Sequence, residues 1–137
     1  MSTIAATPAR TTARDGLLRL SLRADAVLTG TAGVGIALAA WGLDSVIGLP
    51  AVALLLAGLA FAGYGVAVRA VSRPATISHR ATWMVIGANV ACTVAGVLLL
   101  IAGVLPLTTT GVVVTALMAV YTGVFAELQF MGLRRAR

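Results

Sequence analysis

The chain has no lysine, one cysteine (Cys92), one histidine (His79) and only four acidic residues in 137. Each shortage closes off a class of chemistry. A single cysteine forms no intramolecular disulfide and no C-x-x-C redox pair. One cysteine and one histidine cannot build a zinc site or a bis-histidine haem site within one chain. Thiol–quinone oxidoreductases built on four helices need cysteine pairs, which are missing as well. Charge is also scarce: charged residues make up 10% of the sequence, against about 25% in a soluble domain.

What is present is apolar. The chain is 60% hydrophobic, with a mean hydropathy of +1.03, and its length suits one domain. Four apolar stretches, at about 24–43, 51–70, 81–104 and 111–132, each approach the ~20 residues a helix needs to cross the hydrocarbon core. The expected fold is all-α: a polytopic membrane protein with a four-transmembrane-helix bundle at 17–133, a disordered basic arm at 1–16 and a basic tail at 134–137. Pro50 suits a helix start, Pro106 a tight connection, and Ser78 an N-cap for the third span.

Positive charge is all arginine, and it is one-sided. Arg10, Arg14, Arg19 and Arg23 precede the first span, Arg69, Arg73 and Arg80 flank the loop between spans two and three, and Arg134, Arg135 and Arg137 follow the fourth. The other two loops have none. By the positive-inside rule both termini are cytoplasmic, in a cell (inner) membrane. The N-terminal segment could pass for a secretory signal, but its n-region is very long and its apolar run is broken by glycines, which weighs against cleavage. GLLRLSLR reads instead as a short segment lying at the headgroups, Leu18 and Leu22 toward lipid. Arg19, Arg23, Arg80, Arg134 and Arg135 are the expected contacts to anionic lipids of the cytoplasmic face. A solvated arm that only fixes topology is the plainer alternative.

TGTAGVG, Thr29 to Gly35, looks like a phosphate-cradling loop. Such a loop needs a preceding strand, free backbone N–H groups and usually a following lysine. This one lies inside an apolar span, where the backbone must be satisfied within a helix. The phosphate reading fails. The spacing fits helix packing through small residues: Thr29-Gly33-Ala37 and Thr31-Gly35-Ala39 in the first span, where Gly30 also lies, Gly58-Ala62 in the second, Gly87-Ala91-Ala95 in the third, and Gly111-Thr115-Ala119-Gly123 in the fourth. An offset of 56 residues aligns Leu49-Pro50 with Leu105-Pro106, which makes two parallel hairpin repeats about an axis along the membrane normal an option.

Three polar residues inside the spans form the candidate site: Asp25, Asn89 and Glu127. An ionisable group at membrane depth is a functional hypothesis by default. Continuing the fourth ladder one step from Gly123 reaches Glu127, which places it near the packed stripe. The structural reading has Glu127 paired with Arg23, Arg69 or Arg80, Asp25 capping the first helix or pairing with Arg23 or Arg80, and Asn89 in an interhelical hydrogen bond. Tyr64, Trp41 and Trp83 are expected in aromatic belts, and His79 at the headgroups.

LRADAVLTG (Leu22 to Gly30) and LQFMGLRRAR (Leu128 to Arg137) resemble segments of uncharacterised small four-helix integral membrane proteins of actinobacteria, similar to the DoxX-like and SPW-repeat groups of small bundles. The resemblance implies a four-helix fold and a membrane location, and supplies no catalytic residues. Nor does the sequence offer any: there are no paired carboxylates with a histidine, no serine-nucleophile motif and no aspartate-rich lipid-transferase signature. The expectation is a non-enzymatic accessory or self-associating bundle without cofactor or metal. Its partners would be the bilayer, a second copy or another membrane protein, and no nucleic acid. The rival is a transporter working as a homo-oligomer with Glu127 as coupling carboxylate. Small multidrug exporters share the four spans, but their glutamate lies in the first helix.

Overall fold

The computed structural model describes residues 15–136. Residues 1–14 of the arm expected at 1–16, and residue 137, lie outside the described residues. Four helices follow in order: α1 (Gly16–Ile47), α2 (Ala51–Val71), α3 (His79–Ala102) and α4 (Thr109–Arg135). All four are long and apolar enough to cross a membrane.

The helix starts are locally encoded. Ser78 Oγ accepts from the Ala81 amide at 3.3 Å, and Thr108 Oγ1 from the Gly111 amide at 3.0 Å, each satisfying a donor that a helix N-terminus leaves free. Pro50 immediately precedes α2, where its missing N–H costs no hydrogen bond. α1 and α3 end on Gly48 and Gly103, whose φ values of 89° and 61° lie in the left-handed region that favours glycine.

α1 is the central element. It packs along α2 on one side and against α4 on another, and α4 carries α3, whereas α2 and α3 barely touch. The α1–α2 contact is backbone to backbone. A Cβ on Gly33 would lie 2.6 Å from the Gly58 carbonyl oxygen, and one on Gly65 would lie 2.6 Å from Gly30 Cα. Gly30 and Gly33 lie in this contact. Gly35 and Gly87 make none within the bundle: an added Cβ there meets nothing within 4 Å, and both ladders that contain them face outward. Gly123 meets only the Thr93 side chain, at 3.5 Å. At the offset of 56 residues, Gly33, Gly58 and Gly65 correspond to Asn89, Val114 and Tyr121, so the two hairpins do not share their packing device.

The segment GLLRLSLR corrects a second expectation. It is not a separate surface helix but the first turns of α1, a 32-residue helix that begins well before the expected span. Leu18 and Leu22 are fully buried in a cluster with Ala26, Val68, Ile77, Val85, Ile86, Ala126 and Leu133. Gly132 makes room for it, since a Cβ there would lie 2.7 Å from Leu18 Cα. The apolar core thus collects at the arginine-bearing end. Arg19 is drawn in too: its guanidinium donates to the carbonyls of Ser72, Pro74 and Ala75 at 2.8, 2.8 and 3.0 Å. It clasps the α2–α3 loop where a lipid contact was expected. Arg23, Arg80, Arg134 and Arg135 are exposed. Replacing Arg19 with glutamine should cost the loop about 1–2 kcal/mol. The Ala75–Ile77 amides would then exchange hydrogen on the order of tenfold faster while α1 is unaffected; unchanged exchange would show that the clasp holds nothing.

Candidate functional site

Asp25 lies ten residues into α1, wholly buried, and is neither a helix cap nor an arginine partner. Its carboxylate is the focus of side chains from all four helices. Oδ1 accepts from Thr29 Oγ1 at 3.0 Å and from Tyr121 Oη at 3.3 Å. Oδ2 accepts from Gln129 Nε2 at 2.7 Å, Asn89 Nδ2 at 2.9 Å and Tyr64 Oη at 3.2 Å. The amide orientations follow from this network, because one amide nitrogen of Asn89 serves both Asp25 and Gln129 Oε1, at 3.1 Å. Thr29 and Tyr121 also meet each other, at 3.0 Å. Thr29 gives its proton to Asp25, so the single hydroxyl proton of Tyr121 is shared between Thr29 Oγ1 and Asp25 Oδ1.

Every donor around Asp25 is neutral. This matters because desolvating a charge without a counterion is tolerated only where hydrogen bonds replace its hydration. Here they do so, and no buried side-chain nitrogen or oxygen among the described residues lacks a partner. One turn deeper the polar seam continues between α3 and α4. Thr93 Oγ1 meets Thr122 Oγ1 at 2.8 Å, and both also bond backbone carbonyls.

Of the three sequence candidates, the fold joins Asp25 to Asn89 and leaves out Glu127. Glu127 is exposed and lines a shallow groove of about 300 Å³ between α3 and α4, with Ile86, Val90, Thr93, Gly123 and Phe130. The expected placement near the packed stripe is wrong for a geometric reason. Four residues turn a helix by 400°, so each step of four drifts by about 40°, and four steps from Gly111 drift by about 160°. The buried stripe of α4 corrects the drift with three-residue steps, through Ala119, Thr122, Ala126, Gln129 and Leu133. Gln129, not Glu127, therefore takes the inward position.

Sequence reasoning also missed Tyr64 and Tyr121. Tyr64 was expected in an aromatic belt, yet it is half-buried and its hydroxyl is what α2 contributes to Asp25. A helix barely touching α3 is thereby tied to the same centre as Asn89. Trp41 does face outward, and Trp83 packs edge-on against Phe130 with centroids 5.8 Å apart. No group of three or more His, Cys, Asp or Glu residues that could hold a metal occurs among the described residues. Compared with known protein families, characterised proteins and solved structures, the chain shows no significant match to any.

Proposed function

We propose that the protein is a non-enzymatic, multi-pass component of the cell membrane, both termini cytoplasmic, that acts by association with a second copy or with another membrane protein. Glu127 carries this reading. Gln129 reaches Asp25, and Glu127 lies two residues further from the arginine end of the same helix, about 3 Å deeper at 1.5 Å per residue. An exposed carboxylate thus lies at about the depth of the buried Asp25, in a groove lined, apart from Thr93, by apolar residues. In lipid this is costly, and such residues ordinarily face protein or a water-filled cavity. A neighbouring protein surface on the α3–α4 groove would cover it. The inward polar cluster supports the same reading, because a centre whose hydrogen bonds are all made internally offers no vacant position to a substrate.

Native mass spectrometry of the chain, extracted gently from its host membrane, tests this. A defined homo-oligomer or a stoichiometric complex is expected, weakened at least tenfold by Glu127→Gln, while the isolated bundle changes by less than about 0.5 kcal/mol. A monomer in native membranes, indifferent to the substitution, would refute the proposal. The outward position of Glu127 also keeps the transporter reading in view, since a homo-oligomer would enclose it. That reading requires an ion-coupled flux that disappears in Glu127→Gln with assembly intact.

A further inference from the structure

A second groove lies away from Glu127, between α1 and α2, and the association reading makes no use of it. It is an open groove of about 670 Å³ running along the outer face of the α1–α2 pair. Its floor is Ala26, Gly30, Ala62 and Gly65, and Val27, Val34 and Val66 stand at its sides. Its origin is the close packing described above: the residues small enough to let the two backbones touch leave no side chains to fill the seam outside.

The groove has two chemically different ends. Arg69 and Arg73 line one, on the last turn of α2 and just beyond it, and no acidic residue lines the groove anywhere. Arg73 is exposed. Arg69 spends one N–H on Ser72 Oγ at 3.3 Å, which leaves most of its five donors available. From Ala62 to the end of α2 at Val71 the groove follows the helix for about 14 Å at 1.5 Å per residue, and Arg73 lies just beyond. This matches half of the ~30 Å hydrocarbon thickness, the depth of one leaflet.

We infer that this groove is a binding site for one anionic phospholipid of the leaflet at the arginine end, its acyl chain along the Ala26–Gly30–Gly65 floor and its phosphate between Arg69 and Arg73. The charge pattern selects this occupant. An apolar trough alone accepts any acyl chain, but two guanidiniums at headgroup level, with no carboxylate beside them, favour a headgroup of net negative charge. The exposed C-terminal arginines differ: Arg134 and Arg135 line a groove of about 340 Å³ with Met131, without a floor of small residues beneath them.

The test uses the purified full-length chain in mild detergent, offered equimolar phosphatidylglycerol and phosphatidylcholine with identical acyl chains, and counts bound lipid by native mass spectrometry. Phosphatidylglycerol should be retained over phosphatidylcholine by on the order of tenfold or more. Arg69→Gln with Arg73→Gln should bring the ratio near one, whereas Arg134→Gln with Arg135→Gln, an equal loss of charge elsewhere, should preserve it. Ala70→Phe, which fills the groove beside the arginines without altering charge, should reduce retention of both lipids at least fivefold. Since Ala70 is exposed, this variant decides the matter even if the double arginine variant assembles poorly. Equal loss from the two arginine pairs would overturn the site in favour of diffuse attraction. So would unchanged retention in Ala70→Phe, or a lipid-free dimer that Ala70→Phe breaks, which would mean a second copy fills the groove.

Discussion

Asp25→Leu is expected to destabilise the bundle by about 3 kcal/mol or more and to sharply lower the yield of monodisperse protein. The estimate follows from the donors. Five groups from four helices converge on the carboxylate; the four from other helices contribute ~0.6 kcal/mol each on average, and the rest is the cost of stranding buried donors. Leucine removes every acceptor at once and leaves amide and hydroxyl protons facing an apolar side chain. Asp25→Asn should be milder, near ~1 kcal/mol. Its carbonyl oxygen can take over the bonds of Oδ2, and its amide can face Thr29 and Tyr121, whose hydroxyls also accept. Reversible denaturation in bicelles would give both values. Should the leucine variant prove as stable as the parent, the cluster would not be structural, and a carboxylate kept at this depth would need another reason, ion coupling foremost.

The second large effect concerns the α1–α2 seam. Gly33→Ala should cost about 1–3 kcal/mol, the range for inserting volume into a well-packed contact. The new methyl would meet backbone atoms of α2 and the Phe61 Cβ at 2.8 Å. Backbone cannot rotate aside, so the helices must part. Gly65→Ala meets the α1 backbone in the same way, with Gly30 Cα at 2.6 Å, and should behave alike. Gly35→Ala is the internal control: it lies two residues away in the same TGTAGVG segment, with open space around it. It should be neutral or slightly stabilising through helix propensity. Equal losses at Gly33 and Gly35 would mean that glycine in this segment matters for something other than the α1–α2 contact. Because parting α1 from α2 also draws Tyr64 away from Asp25, Gly33→Ala and Tyr64→Phe should be less than additive, which a double-mutant cycle measures.

The class of protein, the four helices and the ends that carry positive charge are legible in the amino-acid order alone. These follow from one-dimensional quantities: run length, local capping residues and arginine position. Ser78 could be read because a cap acts on its own next few residues. The sequence also singled out Asp25 and Asn89, because a polar residue in an apolar span is conspicuous wherever it points. It could not say that they meet. Leu18 and Leu22 were read as facing lipid because a leucine pattern beside arginines is the same for a membrane surface and for a helix partner; only the approach of Gly132 on α4 decides between them. Gly33 and Gly35 share composition, context and spacing, yet one faces α2 and the other faces outward.

Glu127 and Gln129 make the same point on α4. Near the end of a 27-residue helix the inward face depends on drift accumulated from its start. A few residues' error in phase exchanges a buried amide for an exposed carboxylate. Helical phase relative to a partner is a relation between elements. In a chain whose lipid-facing and protein-facing surfaces are both apolar, composition carries almost no record of it, and the packed bundle alone settles it.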